Sequence, residues 1–239
     1  MGLTVTGLHA HYGKSHVLRG VSFELPSQSI YSLVGRNGSG RSTTLKSIMG
    51  IVRPSEGSIL LDGAEQSRRE IREIVRAGIA YVPEDRLVFP TLTVAENLRM
   101  GQLRALPGRV VWTVDQMYEY FPRLHERKDT KAGKLSGGEQ QMLTMCRSLL
   151  GNPKILLLDE PTEGLAPKIV ERLVEAILDV RKHGVSVLLI EQRLTIALDI
   201  SDRVLVMGHG HIVYNGTPDS LRNNADVQRS WLAVGISVS

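Results

Sequence analysis

The order of the predicted helices and strands constrains the fold more than any other feature of this chain. Short apolar, β-prone segments lie at 29–34, 79–82, 155–158, 185–190 and 203–207, and segments with helical spacing lie at 43–49, 70–77, 169–182 and 194–201. Further strand patterns lie at 3–8, 21–25, 57–61 and 211–214, and the tail after Asn215 is short and polar. Strands that alternate with helices are typical of a largely parallel sheet with helices on its faces. The sequence therefore predicts an α/β fold.

One long stretch interrupts this alternation. From about 93 to 150 the pattern is mostly helical, with a Pro/Gly break at 105–109. We interpret this stretch as an inserted helical subdomain of about 85–150, between core segments 1–84 and 151–239.

Composition limits the classes of function. The net charge is +4, with 42% hydrophobic and 23% charged residues, as in an ordinary globular protein. Lys and Arg form no dense run, which argues against a nucleic-acid partner. Cys146 is the single cysteine, so an internal disulfide is excluded, and we expect it in the core. The sequence contains no secretory signal and no apolar run of about 18 residues, so any role at a membrane must come through a partner.

Residues 135–142 read Leu-Ser-Gly-Gly-Glu-Gln-Gln-Met and precede a segment of helical spacing. Glycines allow close backbone approach to a phosphate, and a helix N-terminus offers free N–H groups and a partial positive charge to an anion. A capped helix start after a flexible loop would give a similar local sequence. The motifs elsewhere in the chain favour the anion-binding interpretation.

A glycine-rich loop follows the strand pattern at 29–34 and precedes the helical pattern at 43–49. Its strand–loop–helix context is what a phosphate-binding loop requires, because successive N–H groups can surround a phosphate. The phosphate-contacting candidates are Gly35, Asn37, Gly38, Ser39, Gly40, Arg41, Ser42 and Thr43. Arg41 occupies the position of the usual Lys; it keeps the charge and can bridge two phosphate oxygens, but it is bulkier and planar.

Two adjacent acids, Asp159 and Glu160, end the apolar strand pattern at 155–158. In ATPases with such a loop, the first acid of this pair holds Mg²⁺ through water, and the second can orient or deprotonate the attacking water. An isolated Asp-Glu pair would be a solvated loop start, but here the pair follows both glycine motifs.

Together these motifs resemble the ATP-binding subunits of ABC transporters over nearly the whole chain. Residues 35–43 resemble the Walker A loop, 135–140 the signature motif, 155–160 the Walker B strand and 163–167 the D-loop. The resemblance implies a single ABC domain over 1–239: a P-loop NTPase fold with a RecA-like core, an antiparallel β subdomain and the helical subdomain. It also implies ATP and Mg²⁺ as cofactors, with Tyr12 stacking on adenine.

Several residues also resemble one subgroup of this family more closely than the family as a whole. Glu84 after Val82-Pro83 stands where many members have Gln, and Gln192 stands where many have a switch His. With residues 164–167 and 35–38, these resemble the shorter ATPase subunit of importers for branched-chain amino acids, or for urea and amides. Arg41 departs from the subgroup as well as from the family.

The family resemblance implies a mechanism in which two chains sandwich two ATP molecules head to tail. The residues implied to bind γ-phosphate in the opposite site are Ser136, Gly137, Gly138 and Glu139. Ser42, Asp159 and Glu84 would hold Mg²⁺. Glu160, Gln192 and Glu84 form the catalytic set, with Glu160 as the general base or the residue that orients the water. The implied partners are transmembrane permease subunits, a second ATPase chain, identical or different, and indirectly a periplasmic binding protein. The implied location is the cytoplasmic face of the membrane.

Two alternatives remain at the level of sequence. The chain could bind ATP for assembly and hydrolyse it weakly, which Arg41 and Gln192 favour and the Asp159-Glu160 pair disfavours. A soluble ATPase of this family that acts on DNA or ribosomes usually carries coiled-coil insertions or two fused cassettes, for which 239 residues leave no room.

Overall fold

The central sheet of the computed structural model, which describes residues 2–103 and 110–232, is mainly parallel. Its strands are β3 (Ile30–Gly35), β6 (Ile79–Val82), β7 (Ile155–Asp159), β8 (Ser186–Ile190), β9 (Arg203–Gly208) and β10 (His211–Gly216). They lie in the order β10-β9-β3-β8-β7-β6, and only the β9–β10 pair within this sheet is antiparallel. The predicted α/β fold is confirmed.

A second sheet of the described residues is antiparallel, in the order β2-β1-β4-β5. Its strands are β1 (Gly2–Tyr12), β2 (Ser15–Pro26), β4 (Glu56–Leu61) and β5 (Ala64–Glu65). The first two are longer than the patterns at 3–8 and 21–25 predicted. The register of β1 and β2 shifts after Val5, which breaks the simple alternation, yet pairing continues to Tyr12 and Ser15.

Helices cover both faces of the central sheet. Their bounds are α1 (Arg41–Ile48), α2 (Ile71–Ala77), α3 (Val94–Gly101), α4 (Val114–Tyr120), α5 (Pro122–Glu126), α6 (Gly137–Leu149), α7 (Pro167–Lys182), α8 (Leu194–Ile200), α9 (Pro218–Arg222) and α10 (Ala225–Val227). A 3₁₀ turn covers Ala132–Lys134, and a π-helical turn covers Gln228–Leu232. The tail after Asn215 therefore contains helices, and Leu221 on α9 is fully buried, which the polar composition of this segment did not indicate.

The strand β7 illustrates why the central strands have continuous apolar sequences. Leu156 and Leu158 pack into the cluster that contains α6 and α7, whereas Ile155 and Leu157 pack into the cluster that contains α1. Because both faces of the sheet are covered, every residue of β7 is buried. The carboxyl ends of β3, β6, β7 and β8 consequently meet at one edge, where polar side chains can gather.

Helices α3 to α6 fall within the segment predicted as a helical subdomain, and the predicted break at 105–109 lies outside the described residues. Capping boxes begin three of these helices, at Thr93, Thr113 and Ser136. Cys146 is buried in their apolar cluster, as expected. None of the helices in the described ranges combines the length and the apolar character that a membrane crossing requires.

Candidate functional site

The loop between β3 and α1 presents backbone N–H groups to an anion. Gly40 is the N-cap residue of α1, its φ of 105° lies in the left-handed region, and no side chain caps the helix. The left-handed conformation favours glycine at this position, and a Cβ at Gly40 would lie 2.8 Å from the Leu18 side chain and displace it. The uncapped first turn of α1 therefore has free donors for phosphate oxygens.

A cavity of about 360 Å³ adjoins this loop at the carboxyl edge of the sheet. Its lining residues are Asn37, Gly38, Gly40, Arg41, Ser42, Thr43, Glu84, Glu160, Glu163 and Gln192. Glu84 follows β6, Glu160 follows β7 and Gln192 follows β8, so three neighbouring strands deliver side chains to the cavity. The cavity thus unites most of the predicted phosphate-loop residues with the predicted catalytic residues.

Ser42 and Asp159 are in direct contact. The Ser42 hydroxyl donates a hydrogen bond to Asp159 Oδ1 at 2.9 Å, and the Tyr81 hydroxyl donates to Oδ2 of the same carboxylate at 2.9 Å. Burial and the Asp159 charge raise the pKa of Tyr81, so the phenol stays a hydrogen-bond donor. Hydroxyl and carboxylate oxygens are the ligands that Mg²⁺ prefers, and this pair fits that ion.

Arg41 points to Glu160. Arg41 Nη2 lies 3.1 Å from Glu160 Oε1 and 3.1 Å from Asn37 Oδ1. Both charged side chains are more than nine-tenths buried, and Arg41 Nη1 is a buried donor without a hydrogen-bond partner. A buried donor without a partner lowers the stability of the fold until an acceptor reaches it. A phosphate oxygen is a suitable acceptor for a guanidinium group.

The Glu160 carboxylate contacts Arg41, Gln192 and Glu163. Burial and the neighbouring Glu163 carboxyl raise its pKa to about 7, although the Gln192 and Arg41 contacts act in the opposite direction. Gln192 Nε2 donates to Glu160 Oε2. The Glu160 backbone has a φ of 48°, an unusual conformation for a residue other than glycine, and its N–H donates to the Ile190 carbonyl at 3.0 Å.

The loop that carries Gln192 is fixed by its buried neighbour Glu191. Thr162 donates to Glu191 Oε2 at 2.6 Å, and the Arg193 N–H donates to Oε1 at 2.9 Å. This link joins the loop after β8 to the loop after β7. It holds Gln192 beside Glu160.

Sequence reasoning placed neither Glu163 nor Tyr81 in the site. One carboxylate oxygen from each of Glu84, Glu160 and Glu163 lies within 4.8 Å of the others. Burial raises the pKa of Glu84, and the charges of Glu163, Asp159 and Asp85 act in the same direction. Glu163 could have been assigned to the site from the sequence, because it lies only three residues after Glu160. Tyr81 could have been found from its place on β6 beside the strand that ends in Asp159.

The signature residues do not line this cavity. Ser136 is exposed, and its hydroxyl and backbone N–H both donate to Glu139 Oε2, at 2.9 and 2.8 Å. Arg127 lies 2.9 Å from the same oxygen. Within the chain, Ser136 and Glu139 therefore cap α6, whose first residues are Gly137 and Gly138.

Three other predicted nucleotide-binding residues also lie outside the cavity lining. Tyr12 ends β1 and is half exposed. Gly35 ends β3. Ser39 lines a second, smaller cavity between the phosphate loop and the C-terminal residues Ser230 and Trp231.

Comparison with known proteins agrees with this geometry. The family model described as ABC transporter matches residues 18–163. A high-affinity branched-chain amino acid transport ATP-binding protein of Pseudomonas aeruginosa is 42% identical over 96% of this chain and 99% of its own length. A probable branched-chain amino acid transport ATP-binding protein of Archaeoglobus fulgidus is 37% identical over 98% and 99% of the two chains. A lipopolysaccharide export system ATP-binding protein of Haemophilus influenzae is 34% identical over 96% of each.

Solved structures give the same result. The ADP conformation of an ATP-binding cassette from an ABC transporter superposes with a TM-score of 0.81 at 26% identity, over 95% of this chain and 97% of that one. A nucleotide-free cassette superposes with a TM-score of 0.80 at 27% identity, over 93% and 94% of the two chains.

Proposed function

The chain belongs to the ABC transporter family, and from that membership we propose that it is the ATPase subunit that powers an importer of branched-chain amino acids. The observation that carries the ATPase activity is the cavity in which the phosphate loop, the Ser42–Asp159 contact and Glu160 meet. The names of the Pseudomonas and Archaeoglobus relatives support the substrate class.

In this proposal, the loop amides and Arg41 bind the β- and γ-phosphates of ATP. Ser42, Asp159 and Glu84 hold Mg²⁺, which when bound neutralises phosphate charge. Glu160 orients or deprotonates the attacking water, and Gln192 keeps the Glu160 carboxylate in place through its hydrogen bond.

A second ATPase chain, identical or different, completes each site. Ser136 and the glycines after it lie at an exposed helix start outside their own cavity, which suits a role toward the ATP of the partner. ATP would then hold the two chains together, and hydrolysis would release them. This cycle would drive alternating access in the permease subunits.

The permease subunits would dock in an apolar groove of about 490 Å³ between the core and the helical segment. Its exposed apolar residues are Ile51, Ile71, Leu87, Phe89, Met100 and Leu103. The groove suits an apolar helical segment of the permease, because a patch of this kind rarely stays uncovered in a protein. Such docking would place the chain on the cytoplasmic face of the membrane, with a periplasmic binding protein delivering substrate on the other side.

Docking has a matched test within the chain. Phe89→Glu should abolish copurification with the permease and leave Mg-ATP binding unchanged. Val111→Glu changes an apolar residue that is 60% exposed but lies outside the groove, and it should affect neither. Equal permease recovery with both variants would contradict this docking surface.

The transported substrate is tested by reconstituting the complex from the neighbouring permease and binding-protein genes in vesicles. We expect uptake of leucine, isoleucine or valine that requires ATP and is lost with Glu160→Gln in this chain. Uptake of urea or an amide, with no response to leucine, would assign the other substrate class of the subgroup.

A second candidate function is supported by the Arg41–Glu160 ion pair. Because the pair engages the proposed base, the chain could bind ATP for assembly while a partner chain hydrolyses it. In that case Glu160→Gln in this chain would leave turnover of the assembled complex unchanged, whereas the equivalent change in the partner chain would abolish it.

A further inference from the structure

The C-terminal turn Gln228–Leu232 packs against β3, which leads into the phosphate loop, and against the neighbouring strand β9. Its Trp231 side chain covers the end of β9, where a Cβ on Gly208 would lie 2.2 Å from ring atoms Cε3 and Cζ3. Only glycine leaves room for the ring at this position. The His209 ring meets the indole edge to face, with 5.5 Å between ring centroids.

The turn at 208–210 is bonded directly to the phosphate loop. The Gly210 N–H donates to the Ser39 carbonyl at 3.0 Å, and the Gly210 carbonyl accepts from the Arg19 N–H at 2.9 Å. His209 has a φ of 49°, a conformation that costs about 1 kcal/mol and persists where the surroundings impose it. The Trp231 ring is the aromatic contact that His209 makes in the described residues.

A second cavity lies on the side of the phosphate loop that faces Trp231. A cavity of about 160 Å³ separates residues 36–39 from Trp231, and the Ser39 hydroxyl is buried without a hydrogen-bond partner. The Ser39 backbone is held by two hydrogen bonds: its N–H donates to the Arg36 carbonyl within the loop at 3.1 Å, and its carbonyl accepts from the Gly210 N–H. The second bond joins the loop to the turn at 208–210. A glycine-rich loop that is not fixed in advance loses binding free energy when a phosphate orders it.

We propose that Trp231 is a positioning residue for ATP binding: its ring fixes the turn at 208–210, and the turn holds the phosphate loop in the conformation that accepts phosphates. The role rests on the nucleotide site proposed above and adds to it a C-terminal residue that never touches ATP. The Trp231 ring is itself held by an apolar cluster that contains Leu221 on α9 and Val206 on β9.

Trp231→Ala should weaken Mg-ATP binding by about tenfold in calorimetric titrations, because the loop must then be ordered by the ligand. Trp231→Phe keeps an aromatic ring on Gly208 and should bind within about threefold of the natural chain. The turnover of the assembled complex at saturating ATP should stay the same in both variants, since Trp231 lies outside the catalytic cavity. A rise in KM at constant kcat distinguishes positioning from a general loss of structure.

The chain contains a matched control, because Trp112 is its only other tryptophan and is buried among the helices of the inserted segment. Trp112→Phe should bind Mg-ATP like the natural chain. It also leaves Trp231 as the sole indole, whose fluorescence should change on titration with Mg-ATP. Gly208→Ala should reproduce the effect of Trp231→Ala by displacing the ring, and combining the two should add nothing.

Hydrogen exchange in the nucleotide-free chain tests the contact without ATP. Amides of 36–41 should exchange faster in Trp231→Ala than in Trp112→Phe. Unchanged exchange and affinity in Trp231→Ala would overturn the proposal, as would equal losses in both variants. If the natural chain failed to bind Mg-ATP, the proposed function would be refuted and the positioning role with it, even if exchange changed.

Discussion

Arg41→Ala provides the sharpest test of the nucleotide site. In the structure Arg41 Nη1 is buried without an acceptor, and Nη2 lies 3.1 Å from the Glu160 carboxylate. Hydrogen bonds to charged groups contribute about 1.5–3 kcal/mol, which corresponds to about 10- to 150-fold in affinity. Because ATP must share Arg41 with Glu160, we expect the lower end of this range, a loss of about tenfold.

The opposite change should strengthen binding. Glu160→Gln removes the carboxylate that competes for Arg41 and leaves the guanidinium buried without a counter-charge, which destabilises the free chain. A phosphate then supplies that charge, so Mg-ATP should bind about tenfold more tightly. Arg41→Lys keeps the charge but loses the planar guanidinium, so its affinity should lie between that of Arg41→Ala and that of the natural chain.

Calorimetric titration of the purified chain with Mg-ATP measures all three variants. Arg53→Ala is the control, because Arg53 is exposed on the surface and pairs with Glu70. Unchanged affinity in Arg41→Ala would refute the assignment of Arg41 as a phosphate ligand. No binding by the natural chain, together with binding by Arg41→Lys, would identify a weakened site and favour the assembly role.

The remaining predictions concern other parts of the molecule. Gln192→His should raise turnover of the assembled complex by about three- to tenfold in a coupled ATPase assay, because an imidazole can carry a proton and an amide cannot; unchanged turnover would contradict a rate limited at this position. Ser136→Ala should lower the free energy of unfolding by about 1 kcal/mol in urea titrations while Mg-ATP binding by the isolated chain stays constant, since Ser136 caps α6 outside the cavity. Leu157→Ala should cost about 2–5 kcal/mol of stability because Leu157 is fully buried, whereas Leu87→Ala, at an exposed position, should change stability by less than about 0.5 kcal/mol.

The fold was predictable because the spacing of apolar residues along each helix or strand reflects which of its faces are buried. Strand β7 is apolar up to its final Asp159 since both its faces are covered, and α6 begins with a glycine pair after Ser136, whose capping box is visible in the sequence. The meeting of Ser42 and Asp159 follows from the same topology, because the carboxyl ends of parallel strands lie at one edge. The C-terminal helices were missed, because a segment with few apolar residues can still bury Leu221 and place Trp231 against a glycine.

The contacts of Glu160 could not be predicted, since they depend on side-chain directions between residues far apart in the chain. Arg41 and Gln192 were identified separately as replacements of the usual residues, and nothing in the sequence joins them. The structure places both against one carboxylate, with Glu163 beside it.

Because Arg41 and Gln192 contact the same carboxylate, both replacements affect whether Glu160 is ionised. An acid that is buried near other carboxyls takes up a proton, and a protonated acid cannot act as a base. Arg41 supplies a positive charge to Glu160, and Gln192 donates a hydrogen bond to it, so both favour the ionised form against burial and Glu163. When phosphate draws Arg41 away, Gln192 is the remaining side chain of the two that stabilises the charge. The effects of Arg41→Lys and Gln192→His on turnover should therefore be non-additive, and additive effects would show that the two residues act on Glu160 independently.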